Sequence, residues 1–214
     1  MKQTHRARAD SKISALKSQN SISALQSISY ALPYVPVIML FAPINSVIQG
    51  IFAKHYGIAL TTLATLILLS RLLDAISDPI IGYCSDQYRA KHGTRKPFIV
   101  AGSLTILLSS YFLYIPPDNV SSFYFGFWLI AFYTAFTFFE IPHITWPADI
   151  ANDSSDKTKL YSYRVSASYG GLALFYSIPL LPFFKSKAIT PETLKVTFFV
   201  ADAITLPFLF QAIR

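Results

Sequence analysis

Charge is scarce in this chain of 214 residues: Asp, Glu, Lys and Arg make up 14%, against about 25% in an ordinary soluble domain. Cysteine is nearly absent. Cys84 stands alone, so no disulfide within the chain can staple a small fold. There is no phosphate-binding glycine loop, no metal-ligand cluster and no nucleophile elbow, and the serines are scattered. These absences exclude an ordinary soluble enzyme, and no enzymatic activity is expected. The apolar fraction of 53% and the mean hydropathy of +0.43 exclude disorder.

What the sequence does have is long uncharged runs, at 18–53, 97–117, 119–139 and 165–184. Each holds at least 20 residues, enough to cross a hydrocarbon core of about 30 Å as a helix. The pattern predicts an all-α membrane protein with six spans, at about 28–53, 58–85, 97–116, 121–147, 162–184 and 194–213. The second span carries Arg71, Asp74 and Asp78, and the sixth carries Asp202. With the N-terminus inside, the inner segments hold 13 Lys and Arg and the outer segments 4. The positive-inside rule therefore places both termini in the cytoplasm. The formal net charge of +7 is mostly this topology signal. Nucleic acid is not an expected partner, because no recognition motif or basic aromatic-interleaved domain accompanies it. The lipid bilayer is. Residues 1–27 form a basic, serine-rich cytoplasmic tail without a clear cleavage signal.

Proline interrupts several spans: Pro33, Pro36 and Pro43 in the first, Pro142 and Pro147 in the fourth, Pro179 and Pro182 in the fifth. Such breaks are tolerated in a membrane where protein or a water-filled cavity satisfies the freed backbone. Several broken helices in one small bundle point to a transporter rather than an anchor.

The chemistry concentrates in Arg71-Leu-Leu-Asp74-Ala-Ile-Ser-Asp78-Pro79. Asp74 and Asp78 are four apart and share one helix face, with Arg71 one turn earlier. Pro79 leaves the carbonyl of Ala75 without its helical donor. Carboxylate and carbonyl oxygens suit Na⁺, while two close carboxylates also suit a shared proton. A local Arg71–Asp74 ion pair is the plainer alternative. In the fourth span Glu140 sits two residues before Pro142, which frees the carbonyl of Phe138. His143, one turn on, is either a proton relay or a hydrogen-bonded packing residue. In the fifth span Ser166/Gly170 and Ala167/Gly171 are four apart and allow close helix packing. A loop follows the second span with Gly82, Asp86, Gly93, Arg95 and Pro97, and Gly93 permits a left-handed turn.

The order from Arg71 to Pro97 closely resembles the second span and following loop of the glycoside–pentoside–hexuronide:cation symporters. These are the melibiose permease relatives within the major facilitator superfamily. A second match runs through Glu140-Ile-Pro142, Ala148-Asp149, Asp153, Lys157, Thr158, Leu160, Tyr163 and Arg164. The resemblance covers about residues 28–190. It implies a cation-coupled transporter of twelve spans in two halves, of which this chain is the N-terminal half. It implies that Asp74, Asp78 and Glu140 serve the cation and that Arg164 serves the solute. It also implies that Gly82, Asp86, Gly93, Arg95 and Pro97 form a conformational loop motif. A bacterial inner membrane is the implied location. No cofactor is expected beyond the coupling ion, Na⁺ or H⁺, and no metal site beyond one for that ion. The implied partners are a small-molecule solute and a C-terminal half or partner chain.

The sequence departs from the family at one place. Sugar-transporting members carry an aspartate about eight residues after the tyrosine that matches Tyr30. Here that region reads Pro36-Val-Ile-Met-Leu, and the first span has no acid. The solute is then a sugar or glycoside, or a less polar, lipid-like molecule moved with protons. A non-transporting remnant, whose acids persist as helix contacts, is the reading from a different class.

Overall fold

The computed structural model describes residues 22–184 and 186–213, so residues 1–21 of the basic tail lie outside the described residues. The chain is helical throughout, in nine α-helices among the described residues. They are α1 (Ala24–Ala31), α2 (Tyr34–Ser46), α3 (Ile48–Tyr56), α4 (Leu60–His92) and α5 (Lys96–Tyr114). Then come α6 (Ser122–Thr145), α7 (Pro147–Ile150), α8 (Ser154–Ser177) and α9 (Pro191–Ile213), with a 3-10 turn at Ile178–Leu180.

The predicted spans map onto these helices with shifted ends. The first span is a rod broken at Leu32-Pro33 and at Val47, where α1, α2 and α3 meet. Proline explains the first break, since Pro33 caps α2 and has no N–H to continue the ladder. Helix α1 starts at Ala24, inside the segment expected as tail, because Ser23 and Gln26 form a reciprocal capping box. Helix α4 runs to His92, seven residues past the expected end, and its 33 residues measure about 50 Å. It stops where Gly93 takes φ +72°, the left-handed turn the sequence foretold.

The fifth span differs most. Helix α8 begins at Ser154, eight residues before the expected 162, and ends at Ser177. Asp153 accepts from the Asp156 backbone N–H at 2.9 Å, and that cap sets the start. Asp153→Ala should lower stability by about 1 kcal/mol in detergent-phase thermal unfolding. An unchanged midpoint would show that tertiary packing alone starts this helix. By length and composition, five segments among the described residues can cross a membrane: Ala24–Ser46, Leu60–His92, Lys96–Tyr114, Ser122–Ile150 and Pro191–Ile213. Helix α8 has the length, but it carries Asp156, Lys157, Lys159 and Arg164.

Helix α6 is the centre of one half of the bundle, packed between α4 and α5. Helix α2 packs on α8, and α9 closes the bundle against α2 and α5. The core is aromatic and aliphatic, with Met39, Ile44, Phe52, Phe125, Phe132, Phe139 and Phe175 fully buried. Gly171 brings the α8 backbone onto α2: a Cβ there would stand 2.5 Å from the Val35 carbonyl oxygen. Gly170, by contrast, faces open space, so of the two small-residue pairs it is Ala167/Gly171 that meets α2. The outer faces of α4 (Leu69, Leu72, Leu73, Ile76, Ile80) and α8 (Val165, Tyr169, Tyr176) are exposed.

Candidate functional site

Helix α6 carries a polar stripe. Tyr133, Thr137, Glu140 and His143 follow one another at spacings of four, three and three, so they share one face over about 15 Å. Each meets a charged residue from a flanking helix.

At Tyr133 the partner is Arg71 of α4, whose guanidinium lies 3.9 Å from the ring centroid. Arg71 also donates to Asn45 Oδ1 at 2.9 Å and pairs with Asp74 Oδ2 at 3.3 Å. It thereby ties α2, α4 and α6 together. The local Arg71–Asp74 pair anticipated from their spacing is present. One turn on, Thr137 Oγ1 donates to Asp78 Oδ1 at 2.9 Å. Asp74 and Asp78 are both half-buried and hold separate partners.

Glu140 takes its partners from other helices, α8 and α2. Its Oε1 is bound by Arg164 of α8 and lies 3.5 Å from the Tyr34 hydroxyl. Its Oε2 is buried without a hydrogen-bond partner among the described residues. The Arg164 guanidinium lies 3.8 Å above the Tyr34 ring, and its Nε donates to His143 Nδ1 at 3.2 Å. His143 Nε2 lies 3.0 Å from the Tyr30 carbonyl oxygen, which only accepts, so Nε2 carries the hydrogen. With both ring nitrogens engaged, His143 is a hydrogen-bonded packing residue in this arrangement rather than a relay.

Glu140 is thus joined to Arg164, and no group of three or more His, Cys, Asp or Glu able to hold a metal occurs among the described residues. Thr137, Tyr34, Asn45 and Tyr133 were missed by sequence reasoning. For Thr137 and Tyr133 a signal existed: both lie on the Glu140 face of an otherwise apolar helix.

The loop motif forms a second polar centre, at the end of the bundle that carries the described termini. Arg95 is buried, and its guanidinium donates to Asp149 Oδ2 at 2.9 Å, Asp86 Oδ1 at 2.5 Å and Ser85 Oγ at 3.2 Å. Arg89 takes the other Asp149 oxygen at 3.1 Å. Burial alone would lower the Arg95 pKa, but the hydrogen bonds to Asp86 and Asp149 outweigh it and hold the value raised. Pro97 lies in the first turn of α5, where its missing N–H costs nothing. Gly82 faces Ile141 with room for a methyl group, so this packing does not demand glycine there. The network joins α4, the loop before α5, and α7.

Broken apolar helices around a stripe of paired charges are the architecture of a multi-pass membrane protein. A family profile described as MFS/sugar transport protein matches residues 29–211, and the chain belongs to that family. Its helices make up roughly half of the major facilitator fold. Among similar proteins is a putative glycoside/cation symporter, YagG, of Escherichia coli (strain K12), 29% identical over 127 residues. That alignment covers 58% of this chain and 28% of the relative. The inner membrane symporter YicJ of the same organism is 26% identical over 155 residues, covering 71% of this chain and 34% of the relative. The uncharacterized symporter YnaJ of Bacillus subtilis (strain 168) is 21% identical over 180 residues, 81% of this chain and 38% of the relative. The matched region therefore spans about a third of the length of these relatives.

Proposed function

We propose that this chain supplies the ion- and solute-binding wall of a cation-coupled symporter for a small polar solute of the glycoside class. The observation that carries the reading is the α6 stripe, which sets Asp74, Asp78 and Thr137 at one end and Glu140 with Arg164 at the other. Ionisable side chains inside a membrane are costly even when paired, and so many on one stripe call for a functional role. Asp74, Asp78 and the Thr137 hydroxyl offer hard oxygens to Na⁺. Glu140 Oε2 has an unused acceptor, ready for the ion or for a solute hydroxyl. Arg164 is the group that meets solute oxygen atoms. The opposite wall comes from a second half or partner chain, docked on the exposed faces of α4 and α8. The chain sits in a bacterial inner membrane with both termini in the cytoplasm. The basic end, with Arg89, Lys91, Arg95 and Lys96, agrees with that orientation. The Arg95–Asp86–Asp149 network links helices that shift when access alternates.

A second reading is favoured by one observation. Val37 and Ile38, where sugar-transporting members carry their aspartate, are buried, and Ile38 packs against Gly171 of α8. That geometry offers no carboxylate to sugar hydroxyls and suits a less polar solute moved with protons.

Thermal unfolding of the purified 214-residue chain in detergent, with NaCl or LiCl against choline chloride, tests the reading. At a hundredfold excess over Kd, Na⁺ should stabilise by about 2.7 kcal/mol. That shift is roughly 5–10 °C for a chain of this size. Asp78→Asn and Asp74→Asn should each abolish the shift. No ion effect with folded variants sinks the ion site and favours the remnant. A pH effect without a Na⁺ effect favours the second reading.

A further inference from the structure

The Glu140–Arg164 pair poses a problem that the proposed ion site sharpens. When Glu140 gives its carboxylate to an ion or a solute, the buried Arg164 loses its one charged partner among the described residues. Arg164 has two other supports, the face of Tyr34 and the ring of His143. The tyrosine face offers no hydrogen-bond direction, whereas His143 does. Its ring is wholly buried, on α6 one turn beyond Glu140. It stacks on Tyr30 at 4.6 Å, Tyr34 at 5.5 Å and Phe139 at 4.9 Å between centroids. Tyr30 and His143 bond twice: Nε2–H donates to the Tyr30 carbonyl, and the Tyr30 hydroxyl donates to the His143 carbonyl at 3.1 Å. These contacts allow one ring orientation and one tautomer, leaving the Nδ1 lone pair aimed at Arg164 Nε–H.

We propose that His143 is a positioning residue, a neutral acceptor that fixes Arg164 on α6 independently of Glu140. Its purpose rests on the reading of Glu140 as a group shared with an ion. With the guanidinium held at Nε, its terminal nitrogens can exchange the Glu140 carboxylate for solute oxygen without the arm leaving the stripe. A general rule applies here: a fixed outer partner keeps a binding group oriented while its ligand comes and goes.

The test is nitrogen NMR of the full chain in lipid nanodiscs, labelled at histidine and arginine. His143, assigned by its loss in His143→Asn, should show a protonated Nε2 and a bare Nδ1. The Arg164 Nε–H, assigned by its loss in Arg164→Lys, should exchange slowly with solvent. It should stay slow in Glu140→Gln. In His143→Phe, which keeps the stacked ring and loses the acceptor, exchange should quicken roughly tenfold or more. In His143→Asn, whose Oδ1 stands near the Nδ1 position, slow exchange should return. A residue that serves packing alone gives the reverse order, with Phe harmless and Asn disruptive. A proton on Nδ1 in the unsubstituted chain, or a slow Arg164 Nε–H in His143→Phe, overturns the proposal. If both variants fail to fold, the tautomer of the unsubstituted chain still decides. These readouts need no ion, so failure of the Na⁺ shift removes the ion site and leaves this assignment to its own result.

Discussion

Gly102→Ala should cost the protein more stability than its single added methyl group suggests, by about 1–3 kcal/mol or more. A Cβ at Gly102 would stand 2.5 Å from the Phe139 backbone nitrogen and 2.8 Å from its Cα. Backbone atoms cannot rotate aside, so α5 and α6 must separate. The separation falls one residue before Glu140 and just upstream of Pro142, where the ladder of α6 already lacks a donor. Gly171→Ala should behave alike, because its Cβ meets the Val35 carbonyl oxygen. Two other glycines are internal controls. A Cβ at Gly126 is 2.7 Å from Leu66 Cδ2, the far end of a flexible side chain, and Gly170 has nothing within 4 Å. Gly170→Ala should be neutral or stabilising by up to about 1 kcal/mol, and Gly126→Ala should fall between. Thermal midpoints in one detergent rank the four. Equal midpoints for Gly102→Ala and Gly170→Ala would mean that the α5–α6 approach is looser than described.

Arg95→Ala should be the second large loss. The side chain is 8% exposed and Asp149 is 15% exposed, so their charges are poorly screened. Removing the guanidinium leaves Asp149 with Arg89 alone, and Arg89 is itself 46% exposed. A buried pair broken on one side costs about 3–5 kcal/mol; solvent at Asp86 and Arg89 lowers the expectation here to about 2–3 kcal/mol. Arg95→Lys should recover only part, because an ammonium cannot span Asp86, Ser85 and Asp149 as the planar guanidinium does. Asp86→Ala should be mild, since that carboxylate is 66% exposed. Urea or thermal unfolding measures all three. An Arg95→Ala loss within about 0.5 kcal/mol would mark the network as a conformational contact rather than a source of stability.

Much of the fold was legible in the residues alone. Runs of 20 or more uncharged residues must be helices in a bilayer, because only internal hydrogen bonding satisfies the backbone there. Hence the all-α membrane class follows without tertiary information, while five of the six expected spans coincide with segments long and apolar enough to cross among the described residues. Gly93 and Pro97 marked the ends of α4 and α5 for local reasons, a positive φ and a missing N–H. Hydropathy places the fifth span at 162–184 from its apolar residues, whereas α8 starts at Ser154 because Asp153 caps it in a polar segment. The Arg71–Asp74 pair lay within one helical turn and could be anticipated.

By itself, then, the sequence determined a helical membrane bundle, its family resemblance, and the identity of the charged residues that must be compensated. Which charge compensates which was decided only by the tertiary structure. Glu140 was expected to serve the cation with Asp74 and Asp78, and the structure adds that its Oε1 holds Arg164, 24 residues away on another helix. Asp78 takes Thr137, 59 residues on, and His143 takes Arg164 and Tyr30. Spacing within one helix tells which side chains share a face. It carries no information on the rotation of a neighbouring helix, which is set by where glycines such as Gly102 and Gly171 let backbones meet.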